Sequence, residues 1–576
     1  MMRNQIGMRR GATLAALLLA GTATSAHAQF SGDPGSGGGA SASGSPSADS
    51  GEGGRKAKRA EARRNKERHV DVSPYLEIGQ VFSTNLKGGD NDVLTYTTLA
   101  AGVDAVVATR RAELAATVRY EYRIGESRGI SDGDVISGLA RGRIEVSQGL
   151  NLEAGALATR TRADVGGSDS GLLIGNSDNV ANLYSVYAGP TFARRVGGLD
   201  VGAGYRFGYT KVDVDTPAIL APGIQPIGAF DSSTNHVAWA SVGQRPGDLP
   251  FGWQVSGGYQ REDASQLDQR FEGKYARADV TVPISPTVAL LGGVGYENIE
   301  IGQRNPVLDT NGIPVVDANG RFVTDKSTPR QLSFDTDGLI WDAGVMWQPS
   351  RRMSLTAKIG RRYGDTIYTG SFTYRPDHAT LFQVGVYDGL SSLGRGMSGG
   401  LAALPTQFDP TRNPLSGDVN TCVFGQGTGG CLNNQLGSIN GFQYRNRGVQ
   451  AILSSSYGRW SYGVGLGYDQ RRLLVPRNSP IAALNGIKDE NYYLFLTAGR
   501  ALDSESSVNL SGYLNYFDNG SPGASDVQSA GITASYDRRF WRGLTGTAAA
   551  SLNAFDQDGF NSQLIASALL GLRYNF

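Results

Sequence analysis

From Val72 to the C-terminal Phe576 the chain reads as a succession of segments in which apolar and polar side chains alternate at every second position. In Ala112 to Ile124, the residues Ala112, Leu114, Ala116, Val118, Tyr120, Tyr122 and Ile124 share one face, while Glu113, Thr117, Arg119, Glu121 and Arg123 share the other. Between Ile136 and Val146, the residues Ile136, Ala140, Ile144 and Val146 oppose Arg141, Arg143 and Glu145. The same separation recurs in Leu99 to Val107, in Val201 to Tyr209, in Met353 to Ile359 against Thr356, Lys358 and Arg362, and in Tyr462 to Tyr468. A period of two predicts β-strands with unlike faces. Charge confined to the face opposite Leu, Val and Tyr suits lipid on one side and water on the other. The last segment is the clearest: Leu564, Ala566, Ala568, Leu570, Leu572, Tyr574 and Phe576 fall on one face, and Ser567, Gly571, Arg573 and Asn575 on the other.

Connections supply a second signal. Tight turns are expected near Arg110-Arg111, Gln148-Gly149, Val196-Gly198, Gly247-Asp248, Ser285-Pro286, Ser350-Arg351, Pro376-Asp377, Gly458, Asp503-Ser504 and Trp541-Arg542. Longer connections lie near residues 125–134, 164–178, 214–231, 303–333, 390–440 and 473–488. Alternation of short and long connections predicts an all-β fold, a single transmembrane antiparallel β-barrel of about 22 strands (about 20 to 24), with both ends on the periplasmic side. Segment boundaries are weakest near residues 363–380. After residue 28 no apolar run is long enough for a membrane helix, so only a closed barrel could span.

The N-terminal region differs in character. Residues 1–28 read as a signal peptide, with Arg3, Arg9 and Arg10, an apolar stretch from Ala12 to Ala20, and Ala26-His27-Ala28 before the expected cleavage. Residues 29–54 form a Gly/Ser-rich linker. Residues 55–71 form a basic arm, expected to be a disordered periplasmic tail that is either solvated or tethered to an anionic partner. The barrel is placed at residues 72–576.

Composition agrees with this class: 80 Gly, 25 Tyr and 20 Phe among 576 residues. A net charge of +1 gives no reason to expect nucleic-acid binding. Cys422 and Cys431 lie in a Gly/Asn-rich stretch and in an oxidising compartment predict one disulfide. The three His after residue 28, His69, His236 and His378, are too scattered for a metal site or a catalytic pair, and no nucleophile elbow occurs. No enzyme activity, cofactor or metal is expected. Gly463-Val464-Gly465-Leu466-Gly467 sits inside a strand pattern, where glycines fit a crowded lumen better than a nucleotide loop. Asp309-Thr310-Asn311-Gly312 and Asp317-Ala318-Asn319-Gly320 could chelate calcium but read more simply as the turns of a small hairpin arm.

The residues expected to line the lumen are Arg119, Glu121, Arg123, Arg141, Arg143, Glu145, Arg206, Arg277, Lys358, Arg362, Arg471, Arg539 and Arg573. Fixed charges of this kind either filter solutes or brace neighbouring strands, and the two roles are compatible. The stretch 390–440 is too long for a simple connection and is expected to obstruct or cap a barrel that would otherwise leak.

The end of the chain, Leu572, Tyr574 and Phe576, resembles the C-terminal recognition strand of bacterial outer-membrane barrels, which the barrel-assembly machinery reads. Val72-Ser73-Pro74-Tyr75-Leu76-Glu77, Asp92-Val93-Leu94-Thr95-Tyr96 and Ala101-Gly102-Val103-Asp104-Ala105 resemble the start of the β-barrel porin 2 type of alphaproteobacterial outer-membrane proteins. That resemblance implies location in the outer membrane among lipid. It implies a channel or export conduit for hydrophilic solutes, with surface polysaccharide as one cargo, and supplies no substrate. The competing expectation is a structural or surface-interaction barrel with a closed lumen and partner-binding extracellular loops. An energised receptor is disfavoured, because only low-complexity residues stand where such receptors carry a plug domain.

Overall fold

The structure is a computed structural model and describes residues 69–88, 93–127, 132–162, 180–214, 230–247, 249–408, 411–425, 427–436, 439–520, 526–557 and 561–576. The expected signal peptide (residues 1–28), the expected linker (29–54) and residues 55–68 of the expected basic arm lie outside these. Among the described residues, 22 antiparallel strands form one sheet. The first strand, β1 (His69–Lys87), pairs with the last, β24 (Gln563–Asn575), from Tyr75↔Asn575 to Lys87↔Leu564, so the sheet closes on itself and has no free edge. Numbered in chain order, the strands run to β24 because β16 (Cys422–Gly425) and β17 (Thr428–Cys431) form a separate two-stranded hairpin that is not part of that sheet. No helix among the described residues is long and apolar enough to cross a membrane; the crossing is made by strands.

The alternation seen in the sequence maps onto the wall with the apolar face outward. In β3 (Ala112–Gly125), Val118 is 50% exposed and Tyr120 and Tyr122 are exposed, whereas Arg119, Glu121 and Arg123 are buried. Leu570, Leu572, Tyr574 and Phe576 likewise face outward, with the Tyr574 and Phe576 rings edge to face at 5.1 Å. Exposed Trp460, Tyr462, Tyr536, Phe540, Trp541 and Tyr574 cluster toward the end that holds His69 and Phe576, and Tyr120, Tyr122, Tyr209 and Tyr368 toward the other. Two aromatic bands flanking aliphatic surface are what a bilayer with two interfaces selects. The chain is an outer-membrane β-barrel, and the end carrying His69 and Phe576 is periplasmic.

Nine of the ten expected tight turns fall on that periplasmic end, between consecutive strands; Asp248 of the tenth, Gly247-Asp248, lies outside the described residues. Three boundaries differ from expectation. β1 begins at His69 rather than Val72, taking three residues from the arm. Two extracellular connections are short: residues 265–268, and the turn from β13 (Met353–Arg362) to β14 (Asp365–Tyr374). That second turn is Tyr363-Gly364, with φ of 57° and 73°. Both centres lie in the left-handed region of a primed hairpin turn, which costs a tyrosine about 1 kcal/mol or more. Asn or Asp is usual at the first centre, so the sequence carried no turn signal there.

The extracellular stretch 303–330 is a small ring rather than a single hairpin arm. Val307 N–H donates to the Val323 carbonyl, Val315 to Val307 and Val323 to Val315, at 2.8, 2.8 and 2.9 Å. The three arms repeat every eight residues, and each ends in an Asp: Asp309, Asp317 and Asp325. Asp309 Oδ1 accepts from the Asn311 and Ile313 amides, and Asp317 Oδ1 from those of Asn319 and Arg321. The Ile313 amide leads the contacts that hold the Asp309 carboxyl below its ordinary value. These carboxylates cap turns, as the hairpin reading requires. Phe322, from the third arm, packs under Phe442, Tyr444, Ile481 and Leu484 and roofs part of the mouth.

Candidate functional site: a lumen filled by its own loop

The connection between β15 (Thr380–Ser391) and β18 (Gln443–Tyr457) folds into the barrel. It opens with helix α1 (Leu393–Ala403), passes through β16 and β17, and continues through the short helix α2 (Asn433–Leu436). Ser392 caps α1 by accepting from the Arg395 amide at 3.1 Å. Leu393, Met397, Leu401 and Leu404 lie at helical spacing and pack on Leu139, Leu157, Leu183, Tyr187 and Val212 of the wall. The stripe and its cap are legible in the sequence. Gly394, Gly396, Gly399 and Gly400 mask them, because glycine is a poor helix former. The glycines are needed for closeness: a Cβ on Gly394 would collide with Ser233 Oγ, and one on Gly396 with Gln435 Oε1.

Contacts run the full height of the lumen. At the extracellular end both arms of the insert meet Glu262, which is 0% exposed. Its carboxylate accepts from Ser392 Oγ at 2.7 and 2.8 Å, from Arg395 Nε at 3.1 Å and from Gln443 Nε2 at 2.9 Å. Arg395 Nη2 in turn donates to Gln443 Oε1 at 2.6 Å, so one carboxylate clasps the start and the end of the insert. Near the extracellular end of β5 (Leu150–Arg162), Arg160 pairs with Asp418 at 2.7 Å and donates to the Ser416 carbonyl at 2.9 Å. Arg412 donates to Thr117 Oγ1 at 3.0 Å and to Ser137 Oγ at 2.6 Å. At the periplasmic end, Thr406 Oγ1 donates to Glu113, the second residue of β3. Ser454 Oγ donates to the Gly425 carbonyl at 2.6 Å, and Gly427 closely approaches the His378 carbonyl in the periplasmic turn.

The expected disulfide is present: Cys422 and Cys431 are bonded at 2.06 Å and close the β16–β17 hairpin. The hairpin lies against the glycine run of β19 (Trp460–Leu474). A Cβ on Gly463 would enter the Phe424 ring, and one on Gly465 the disulfide sulfurs. Phe424 then stacks on Phe495 with ring centroids 6.3 Å apart. The glycines therefore serve a crowded lumen, and Gly465→Val is expected to lower hairpin docking stability by about 1–3 kcal/mol. Faster proteolysis within residues 411–432 of the folded barrel, at an unchanged far-UV spectrum, checks this.

The thirteen expected lumenal residues all lie on the inward-facing series of their strands, but few stand free as a filter. Arg119 pairs with Glu77 at 2.8 Å and with Glu121, which also accepts from Arg123 at 2.5 Å. Arg123 Nη2 donates to the Ser416 carbonyl of the insert at 3.0 Å. Arg141 bridges Glu153 at 2.7 Å and the Ala402 carbonyl at 3.2 Å. Arg143 faces Glu113 at 3.6 Å, and Glu145 lies near the periplasmic rim. Arg277 and Lys358 share Asp342 at 2.6 and 3.1 Å. Arg362 binds Glu297 at 2.6 Å, Arg471 binds Asp469 at 2.9 Å, and Arg573 binds Asp104 at 2.5 Å. Arg206 has a buried Nε with no hydrogen-bond partner among the described residues, and Arg539 is exposed near the periplasmic rim. The arrangement is mainly a brace: charges pair across strands and grip the insert. Sequence reasoning missed Arg160, Glu262, Arg395 and Arg412, whose partners are distant in the chain.

No family model matches the chain, and no curated protein is similar to it in sequence. Among solved structures, the ferric-catecholate import receptor Fiu of E. coli K12, in its closed form, is similar at 10% identity over 88% of this chain and 82% of that one, with a TM-score of 0.43. The FrpB iron transporter of Neisseria meningitidis (F3-3 variant) is similar at 9% identity over 88% and 82%, with a TM-score of 0.38. OccK5 (OpdH) of Pseudomonas aeruginosa is similar at 7% identity over 88% and 98%, with a TM-score of 0.27. At this distance the strand pairing of the chain itself carries the fold, and its own side chains must carry any functional reading.

Proposed function

We propose that this barrel is a gated, passive outer-membrane conduit for hydrophilic solutes, of the β-barrel porin 2 type, with surface polysaccharide among its cargoes. The observation that carries the reading is the chemistry of the contact between wall and insert. The insert joins the wall covalently at only two adjacent points, Ser391 and Gln443, and much of the remaining contact is charged or hydrogen-bonded to polar side chains. Water can replace such contacts when the insert moves, whereas a permanently closed lumen would be filled more cheaply with apolar side chains. The paired charges left on the wall would then line a hydrophilic passage. In this reading the outward Leu572, Tyr574 and Phe576 serve recognition by the assembly machinery, and the basic arm serves an anionic periplasmic partner.

One observation favours the second reading, a closed structural or surface-interaction barrel. Eighteen buried apolar residues, from the wall, α1 and the rest of the insert together with Phe230, form one cluster that resists displacement of the insert. Planar-bilayer recording separates the two. Reducing the Cys422–Cys431 bond removes a closure of about ten residues, worth about 3 kcal/mol in the chain-entropy account. The conduit reading expects more frequent or larger openings after reduction. Silence before and after would favour the closed barrel.

A further inference from the structure

At the periplasmic rim, the hairpin ends that follow β18, β20 (Lys488–Ala501) and β22 (Val527–Trp541) are neighbours in the ring. They carry Arg459, Arg500, Arg538, Arg539 and Arg542, all exposed. In the lumen and at the extracellular mouth, arginines stand against carboxylates: Arg277 on Asp342, Arg445 on Asp388 and Arg304 on Asp268. The five rim arginines make no ion pair among the described residues. Two nearby carboxylates are already engaged. Asp503 accepts from the Glu505 and Ser506 amides at 2.7 and 2.8 Å, and Asp537 from Thr547 Oγ1 at 2.6 Å. Glu505 is exposed in the same arc and offsets one of the five charges. No lysine occurs in residues 457–462, 500–508 or 536–544, so the positive charge is entirely guanidinium. Guanidinium grips phosphate through a two-pronged fork that an ammonium lacks.

Two of these arginines face the bilayer side of the wall. Arg500 is paired across the sheet with Trp460 on one side and with Val508 of β21 (Ser506–Asp518) on the other, and Val508 is paired with Tyr536. All four are exposed and form one row on the outward face. Arg538 follows Tyr536 in the same outward series, one step nearer the periplasm. The Arg500 guanidinium lies 4.7 Å from the Trp460 ring centroid, which holds it at the depth where aromatic side chains mark the headgroups. Arg500 and Arg538 stand two strand spacings apart, roughly 10 Å between backbones, so their long side chains can converge on one headgroup.

We propose that this arc binds the headgroup phosphate of an anionic phospholipid in the periplasmic leaflet, with Arg500 and Arg538 donating to its oxygens. The acyl chains then lie along Leu496 and Leu510, exposed in the same outward series further into the membrane. A zwitterionic headgroup brings its own cation, which Arg539 and Arg542 would repel; a headgroup of net negative charge does not. A soluble polymer would be met by side chains on the turns alone, whereas two of these arginines project from the wall at headgroup depth. The assignment does not depend on whether the lumen opens.

The test is photo-cross-linking of the full-length protein in phosphatidylcholine vesicles, read by peptide mapping. The probe is a trace of either phosphatidylglycerol or phosphatidylcholine with a diazirine high on one acyl chain. Phosphatidylglycerol is expected to label residues 457–462, 500–508 and 536–544 about tenfold more than phosphatidylcholine does. Arg500→Gln with Arg538→Gln should bring it down to the phosphatidylcholine level. Labelling of residues 116–122, on the outward face of β3, should be equal for both lipids in both proteins, and heat-modifiable gel mobility confirms that the barrel is assembled. Arg500→Lys with Arg538→Lys keeps the charge and loses the fork, and should fall between native and glutamine variants. Equal labelling by the two lipids, or a phosphatidylglycerol preference that survives the glutamine variant, would overturn the site. If the lipids label alike while the native protein, and not the glutamine variant, is retained on purified peptidoglycan, the arc serves the cell wall and the lipid assignment is wrong.

Discussion

Excising residues 393–441 and joining Ser392 to Phe442 by a short Gly/Ser turn is expected to raise single-channel conductance on the order of tenfold or more over the intact protein. The wall does not need the insert to close. β15 and β18 pair residue by residue from Thr380↔Ser455 to Ser391↔Tyr444, and β1 with β24 completes the ring. The excision removes α1, the disulfide hairpin and α2 together, leaving 22 strands around a space that polar side chains line. It also uncovers Leu139, Leu157, Leu183, Tyr187 and Val212 to water. At about 1.5–3 kcal/mol for each large apolar side chain exposed, some stability is lost, but a closed hydrogen-bonded ring in lipid tolerates that loss better than a soluble domain would. Planar-bilayer recording checks it. Current indistinguishable from that of the intact protein would mean that something other than the insert blocks the passage.

Glu262→Ala is expected to free the insert at its root. The substitution leaves the Arg395 guanidinium buried against the Phe271 ring, 3.6 Å from its centroid, with no carboxylate to balance it. Removing one partner of a buried ion pair costs about 3–5 kcal/mol, and here the same carboxylate also holds Ser392 and Gln443. Docking of both arms of the insert should weaken together. Glu262→Gln should have a smaller effect because an amide oxygen still accepts. Replacing both charges, Glu262→Leu with Arg395→Met, should come close to neutral, since the cost lies in the orphaned charge and not in the absence of the pair. Hydrogen exchange of amides in 393–408 reads this directly: faster in the alanine variant, near wild type in the double variant. Equal protection in all three would show that Glu262 does not clasp the insert.

The barrel was legible because each strand carries its own evidence. A residue such as Tyr120, exposed between buried Arg119 and Glu121, reports lipid and water from period two alone, without knowledge of any neighbour. The periplasmic turns were legible for the same local reason, whereas two short extracellular turns were not: residues 265–268, and Tyr363-Gly364, where an unusual residue adopts a left-handed conformation. The ring at 303–330 was half legible: two D-x-N-G units mark two arms, and the third arm ends in Asp325-Lys326-Ser327-Thr328, which breaks the motif while keeping the hydrogen-bond geometry. The inside of the barrel was not legible. Whether Arg123 faces open water or the Ser416 carbonyl depends on a segment almost three hundred residues away. The glycines that let α1 and the hairpin approach the wall are the residues that hide the helix and suggest a loop. Parity along a strand identifies a lumenal side chain; only the path of the insert decides whether that side chain filters, braces or grips.

The described residues of the insert stand inside the barrel and reach its periplasmic end, and a cross-link tests this most directly. Thr406 meets Glu113 there, one residue into β3. In the otherwise native protein, with the Cys422–Cys431 bond kept, Thr406→Cys with Glu113→Cys should form a second disulfide in intact outer membranes under mild oxidation. Thr406→Cys with Tyr120→Cys, on the outward face of the same strand, should not. Peptide mapping that finds the 113–406 link and not the 120–406 link is the predicted result. If neither link forms while both proteins are assembled in the membrane, the insert does not reach the periplasmic end, and the account of a self-plugged lumen fails.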